Sequence, residues 1–381
     1  MTIGIDIRVL SGRAKSGIEE YTENLLAHML PLDKSLKFKL FYSSFSQELN
    51  SYDWLLEPNV EVHKFKIPSK VLFFSANAFK LPKIDQLLGG VDVFFSPHFF
   101  IAPLSKACKR VTTFHDLSYV QFPEFLSVRK NIWHNFEMKP AKQSRFSDRI
   151  IAVSESTKSD LIKIYGIDPA KIEVIHSGVA PSIYRPSEEQ LQDFKKVNNL
   201  PDKFILYLGK FEPRKNIIGI IKAFNIIKSG GKFSDLKLIL AGSRGWLYKD
   251  IFKEFSKSDH KDSIILKDHI IDKERSFYYS LASVFVYPSF FEGFGFPPLE
   301  AMVCGIPVIT SYNTSLPEVV GRGGILLDPH NINDLASSMA MILDNKELSS
   351  QFVSLGIAQA GKFNWHSTAE KTLECLLEAL L

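Results

Sequence analysis

Two glutamates eight positions apart, Glu292 and Glu300, frame the stretch FEGFGFPPLEAM. It follows an apolar run, VFVYPS (284–289), that reads as a buried strand. Pro297 and Pro298 suit the first turn of a helix, where a missing N–H costs nothing. Gly293 and Gly295 permit positive φ and close approach by a ligand. A loop that opens into a helix offers unpaired N–H groups and the positive end of the helix dipole, which together make an anion site. Glu300 is expected in the first helical turn and Glu292 on the loop. A phosphate would then sit on the backbone N–H groups of 293–296, and the two carboxylates would accept hydrogen bonds from hydroxyls on either side of it. One hydroxyl set would be a ribose and the other a sugar. The stretch alone equally allows a helix-stabilising acid at Glu300 and a solvated Glu292.

GKFEPRKN (209–216) repeats the strand–loop–helix grammar and carries Lys210, Arg214 and Lys215. Cations at such a place would neutralise a diphosphate, although a solvated basic turn has the same composition. Near the N-terminus, SGRAKSGIEEYTENLL sets Gly12 and Gly17 after the first strand with the spacing of a Walker A loop. Ile18 and Glu19 stand where that motif needs Lys and Ser/Thr, so nucleotide hydrolysis of that kind is not expected. Gly17 can still face a phosphate. His115, in TTFHDLSYVQFPEF, ends a strand beside Asp116. Adjacent residues on extended chain point apart, so the alternative is that Asp116 caps the following turn. His98, in FFSPHFF, reads as structural. No Asp-x-Asp occurs, and neither histidines nor cysteines have zinc spacing, so no metal and no cofactor is expected.

The elements that must position these residues alternate strand and helix, which implies parallel sheets covered on both faces. Strands are expected at 3–9, 38–42, 91–95, 111–114 and 150–153, with an amphipathic helix at 18–29. At 172–186 the pattern breaks into glycine, proline and then a polar stretch. It restarts with strands at 204–209, 236–242, 264–266, 284–289, 307–311 and 324–329, and a helix at 216–228. The fold class is therefore α/β, with two doubly wound domains in series and ligands beyond the carboxyl ends of the strands. The expected division is 1–185, 186–360, and a terminal helix at 361–381. At 381 residues, 45% hydrophobic and 23% charged, the chain is globular and too long for one core. A net charge of +4 is too mild to argue for nucleic acid. Three scattered cysteines read as buried thiols in a reducing compartment. The charged N-terminal run reads as a strand and not a leader, and no apolar run reaches about 18 residues, so a cytoplasmic protein without a membrane span is expected.

EGFGFPPLE resembles the E-x7-E signature of glycosyltransferase family 4, the retaining enzymes of GT-B fold. GIEEYTENLL, SPHF, FHDLSYVQFPE, IAVSESTKSDL, VIHSGV, YLGKFEPRKN, LAGSRGWLY and SLPEVVGRGGILLDP carry the resemblance along nearly the whole chain, and several of them resemble mannosyltransferase-like members. The resemblance implies two Rossmann-like domains facing across a cleft, the second holding a nucleotide-sugar and the first the acceptor, with the terminal helix crossing back. It implies that Lys215 and Lys210 hold the diphosphate and that Glu300 binds the ribose. Glu292 would lie near the donor sugar, Gly293, Phe294, Gly295 and Phe296 would meet sugar and phosphate oxygens, and the Ile270 backbone would lie near the base. His115 and Gly17 would be supplied from the first domain. The implied reaction is retaining and metal-independent hexosyl transfer, with GDP-mannose as the favoured donor and UDP or dTDP sugars as alternatives. The linker departs from its relatives by reading HSGV, where Asn often precedes the glycine. An epimerase or phosphorylase of the same architecture and a non-catalytic sugar-binding protein are the rivals.

The acceptor side has one legible feature. HKFKIPSKVLFFSANAFKLPK, from His63 to Lys83, carries five lysines, four phenylalanines and no acid. It reads as a basic amphipathic membrane-surface segment, which would suit a lipid-linked or lipopolysaccharide acceptor, or else as a core helix with snorkelling lysines.

Overall fold

The computed structural model describes residues 1–11, 17–126, 132–133, 138–268 and 270–381. The chain divides into two compact units. One comprises 1–119, 128–180 and 364–381, the other 120–127 and 181–363.

The first unit is built on a seven-stranded parallel sheet of order β3-β2-β1-β4-β5-β6-β7. Its strands are β1 (Thr2–Asp6), β2 (Lys37–Ser43), β3 (Val60–Phe65), β4 (Val93–Ser96), β5 (Lys109–Phe114), β6 (Arg149–Ala152) and β7 (Ile172–Val174). The central strands are buried on both faces: Ile3, Ile5, Phe94, Phe95, Val111 and Phe114 expose nothing. This is why they read as unbroken apolar runs. The edge strand β3, VEVHKF, is only half-buried and mixed in polarity, so the apolar reading passes over it. Helix α1 (Gly17–Met29) and helix α2 (Ser69–Ala78) cover this sheet with others.

The second unit has a six-stranded parallel sheet of order β10-β9-β8-β11-β12-β13. Its strands are β8 (Phe204–Leu208), β9 (Lys237–Ala241), β10 (Ile264–Lys267), β11 (Val284–Tyr287), β12 (Val308–Ser311) and β13 (Gly324–Leu327). Helices α3 (Ile217–Ser229), α4 (Asp272–Leu281) and α5 (Phe296–Val303) matter most below. In both sheets the strand order reverses beside the first strand, as in a Rossmann fold, and ligands of such sheets bind at that reversal. In the second unit the reversal lies between β8 and β11. The loops that leave these two strands carry the cationic and glutamate motifs.

The terminal helix α6 (Trp365–Glu378) packs on α1 and belongs to the first unit. Trp365 is buried against Tyr21. Thr368 Oγ1 donates to the His176 carbonyl at 2.7 Å. All three cysteines are free and buried, and burial pushes each thiol up to about 12, which leaves them inert. No helix among the described residues is long and apolar enough to cross a membrane.

Candidate active site

The chain leaves β8 through Gly209 and makes a single 3-10 turn, Pro213–Lys215. Asn216 follows with φ 56° and caps α3, its side chain accepting from Gly219 N at 3.2 Å and donating to the Pro329 carbonyl at 2.6 Å. Asparagine tolerates the left-handed region better than most residues. This cap turns the chain so that Lys215 points inward, where it is 7% exposed. Its Nζ donates to Glu292 Oε1 and to the Tyr287 hydroxyl, both at 2.5 Å. Arg214 Nη1 donates to Glu292 Oε2 at 2.9 Å and to the Phe291 carbonyl at 2.7 Å, and its Nε pairs with Glu212 Oε1 at 2.8 Å. Two cations and two carboxylates thus form one cluster, buried except for the half-buried Arg214. Lys210 is exposed and has no ion pair among the described residues.

Glu292 is 7% exposed, so the solvated alternative does not hold. Burial raises a carboxyl pKa, but here Arg214 and then Lys215 outweigh it and bring Glu292 to about 2. The group is a carboxylate throughout the neutral range and has no proton to give. It can accept hydrogen bonds from hydroxyls or balance charge. Lys215 is pulled below its usual range, first by burial and then by Arg214, with Glu292 and Glu212 opposing.

The loop beyond Glu292 is held by two hydroxyls. Glu292 N donates to Thr314 Oγ1 at 3.2 Å, and Ser315 Oγ donates to the carbonyls of Glu292 and Phe294 at 3.0 and 2.6 Å. With those carbonyls turned away and fixed, the glycine backbone is left at the mouth of α5. Gly295, at φ 121°, is the residue before the helix, and Pro297 and Pro298 occupy its start as expected.

Glu300 differs from expectation in its position. It is the fifth residue of α5, in the second turn, because the helix begins at Phe296. It is 2% exposed. Oε1 pairs with Arg275 at 2.7 Å and Oε2 accepts from Tyr279 at 2.8 Å, both partners on α4. Its carboxylate is therefore aimed by a second helix and does not act as a helix-stabilising acid. Ile270 is buried in the loop between β10 and α4.

The remaining candidates belong to the first unit. Gly17 is the exposed first residue of α1, and Gly12 with the RAKS residues (13–16) lies outside the described residues. His115 follows β5. Its Nε2 lies 2.8 Å from the Pro97 carbonyl, which can only accept, so Nε2 carries the proton and Nδ1 is left as an acceptor. Burial lowers the imidazole to about 4, so it is neutral at pH 7. Asp116 takes no part in an acid–base pair. It accepts from Ser118 N and Oγ at 3.1 and 2.7 Å and caps the turn. His98 follows β4, its ring tilted against Phe99, edge-on to Phe100 and 5.8 Å from His115.

Reading the sequence singles out Lys215, Arg214 and Glu292, and the fold brings them together. It does not single out Glu212, Tyr287, Arg275, Tyr279, Thr314 and Ser315, which hold those residues in place. The one usable signal is Tyr287, a polar tip at the end of an otherwise apolar strand.

The chain matches the family described as Glycosyltransferase Family 4 over residues 16–183, and Glycosyl transferases group 1 over residues 188–358. It is 31% identical to O-antigen chain mannosyltransferase B of Escherichia coli over 283 residues, covering 74% of this chain and 73% of that protein. It is 30% identical to the serotype-specific mannosyltransferase WbdA of Escherichia coli over 276 residues, which is 70% of this chain but only 33% of WbdA. Sucrose-phosphate synthase from Thermosynechococcus elongatus superposes with a TM-score of 0.78 at 19% identity, covering 99% and 98% of the two chains. Anabaena Alr3699/HepE, in complex with UDP and glucose, gives 0.71 at 19% identity over 99% of each. The fold is that of the GT-B glycosyltransferases, and the chain belongs to glycosyltransferase family 4 as a hexosyltransferase.

Proposed function

We propose that the chain moves mannose from GDP-mannose, with retention of configuration and without a metal ion, onto a saccharide or lipid-linked acceptor in O-antigen, lipopolysaccharide or related polysaccharide biosynthesis on the cytoplasmic side of a membrane. The observation that carries this reading is the buried Glu292 carboxylate clamped by Lys215 and Arg214 at the strand-order reversal of the second unit. The similarity to an O-antigen mannosyltransferase supports mannose and the acceptor class.

The donor diphosphate would take up Lys210, Arg214 and Lys215, together with the backbone of Gly293, Phe294, Gly295 and Phe296. Glu300 would accept from ribose hydroxyls, Glu292 from the sugar, and the Ile270 backbone would lie by the base. From the first unit, we assign His115 Nδ1 to a sugar hydroxyl and Gly17 to the phosphate. The acceptor oxygen bonds to the anomeric carbon as the bond to the leaving phosphate breaks, and that phosphate takes the acceptor's proton. Positioning and stabilisation of the leaving charge supply the catalysis. A carboxylate as weakly basic as Glu292 fits recognition better than proton abstraction.

A second donor class is favoured by one observation: HepE, of the same fold, was crystallised with UDP and glucose. The experiment is a thermal-shift screen of GDP, UDP, dTDP and ADP with their sugars, in EDTA. Stabilisation by GDP and GDP-mannose alone is expected. A rise with UDP sugars would discard mannose, a rise only when EDTA is replaced by a divalent cation would discard metal independence, and an inverted product anomer by NMR would discard retention.

A further inference from the structure

The segment from His63 to Lys83 is not one helix. His63–Phe65 ends β3, and α2 runs only over Ser69–Ala78. The helix has two faces. Leu72 and Ala76 are buried, and Leu72 joins the core cluster with Phe41, Ile84 and Phe94. Phe73 packs on Phe100 and lies over the buried Arg8. These contacts anchor α2 and fix which side faces out.

The outward side is apolar. Val71 is 56% exposed and Phe74 67%, and Ala78 lies on the same stripe one turn on. Beyond the helix, Phe79 is 65% exposed and Leu81 50%. The tail is folded back onto the helix. Phe79 N donates to the Ser75 carbonyl at 2.9 Å, Ser75 Oγ donates to the Leu81 carbonyl at 2.8 Å, and the Phe74 and Phe79 rings meet edge-on at 6.1 Å. Four large apolar side chains therefore form one raised patch. Lys70 and Lys80 adjoin it in the chain, Lys64 and Lys66 precede it, and all four are exposed, while Lys83 is tied to the Leu104 carbonyl. The adjoining acids do not offset this charge. Glu61 is exposed beside the His63 ring and Asp85 is buried against Ser105, so the four exposed lysines meet only one exposed carboxylate from these neighbours. A core helix with snorkelling lysines accounts for Phe65 and Phe73, which pack inward, but not for Phe74 and Phe79, which reach solvent.

We infer that this patch seats the protein on an anionic lipid surface, with Val71, Phe74, Phe79 and Leu81 in the interface and the four lysines on the headgroups. Charge selects this occupant. A second copy of the chain would bring the same lysines face to face, whereas an anionic bilayer supplies both an apolar layer and opposite charge. The inference stands on the first unit alone and is independent of which donor the second unit takes.

The test is co-sedimentation of the full chain with vesicles of phosphatidylcholine alone and of phosphatidylcholine with phosphatidylglycerol, without donor. Wild type is expected to pellet with the anionic vesicles only, and to be released by salt. Phe74→Ser/Phe79→Ser should lower the partition at least about tenfold. Lys66→Gln/Lys70→Gln/Lys80→Gln should lower it about a hundredfold. All these side chains are exposed, so unchanged thermal stability and nucleotide-induced stabilisation are expected as folding controls. Equal binding to both vesicle types, or unchanged partition of either variant, would overturn the inference. So would a lipid-free dimer of wild type that Phe74→Ser/Phe79→Ser dissociates, since a second copy would then cover the patch.

Discussion

The charge cluster around Glu292 is neutral only while all its members are present. Glu292→Gln removes the shared carboxylate and leaves the buried Lys215 and the half-buried Arg214 with Glu212 as their one remaining carboxylate in the cluster. Breaking a buried pair from one side costs about 3–5 kcal/mol, so a markedly lower unfolding temperature is expected. A bound diphosphate would replace the missing negative charge. GDP should therefore raise the unfolding temperature of Glu292→Gln by more than it raises that of wild type. An equal or smaller rise would show that the diphosphate does not meet these cations. Lys215→Ala tests the other side of the pair. It deletes a charge-assisted contact worth about 1.5–3 kcal/mol and should weaken GDP binding accordingly while crippling turnover. Unchanged steady-state kinetics would remove Lys215 from the site. Glu300 sits apart from this cluster, aimed by Arg275 and Tyr279. Glu300→Ala should lower nucleotide affinity and leave acceptor affinity alone, and the reverse pattern in titration calorimetry would refute its ribose role.

At the scale of elements, the junction between loop and α5 depends on one backbone angle. Gly295 has φ 121°, and a Cβ there would also lie 3.0 Å from Leu316 Cδ2. Gly295→Ala is expected to cost about 1–3 kcal/mol of stability and to misplace the N-terminus of α5. Gly231→Ala is the control: φ is 75° but nothing lies within 4 Å of the added methyl. Both variants should melt early, and only Gly295→Ala should lose GDP affinity in calorimetry. Parallel losses would mean that the angle matters for folding alone. This junction was legible in the sequence because glycine and proline each have few reasons to stand where they do. The apolar strands were legible for a similar reason, since strands buried on both faces admit little else. The edge strand β3 was not, because half-burial permits VEVHKF as readily as a loop. Nor was the start of α5 placed to the residue. Two prolines fit any position in a first turn, and the resulting offset moved Glu300 from the first turn to the second. Its partners on α4 lie more than twenty residues away, and no local pattern pairs Arg275 with Glu300.

Whole-molecule stability should carry the mark of two groups whose pKa values fall on folding. His115 moves from 6.5 to about 4 and Glu292 from 4.5 to about 2. For both, the unfolded chain binds the proton more tightly, so stability present at neutral pH is lost as pH falls. His115 acts first, between about pH 6.5 and 4, and contributes up to about 3 kcal/mol. Urea midpoints should fall through that window in wild type and stay flatter in His115→Gln. A parallel decline in both would assign the acid sensitivity elsewhere.

The longest-range feature of the chain is the return of its last helix, and Gly178 governs it. A Cβ at this position would lie 2.3 Å from Trp365 N and 2.6 Å from the Asn364 carbonyl carbon, both backbone atoms that no side-chain rotation can move aside. The HSG linker and the start of α6 are thus pressed backbone to backbone, and Thr368 bonds the His176 carbonyl beside them. The glycine of this linker is required by close approach, which explains its place in HSGV without any role in catalysis. Gly178→Ala must separate the two segments. That would lift Trp365 from Tyr21 and loosen α6 on α1. The expected result is rapid protease cleavage near Asn364, together with a lower unfolding temperature and a largely retained GDP response, because all the proposed phosphate contacts except Gly17 belong to the other unit. Cleavage and melting like wild type would show that the linker can shift without cost, and the docking of α6 would then rest on its apolar face alone.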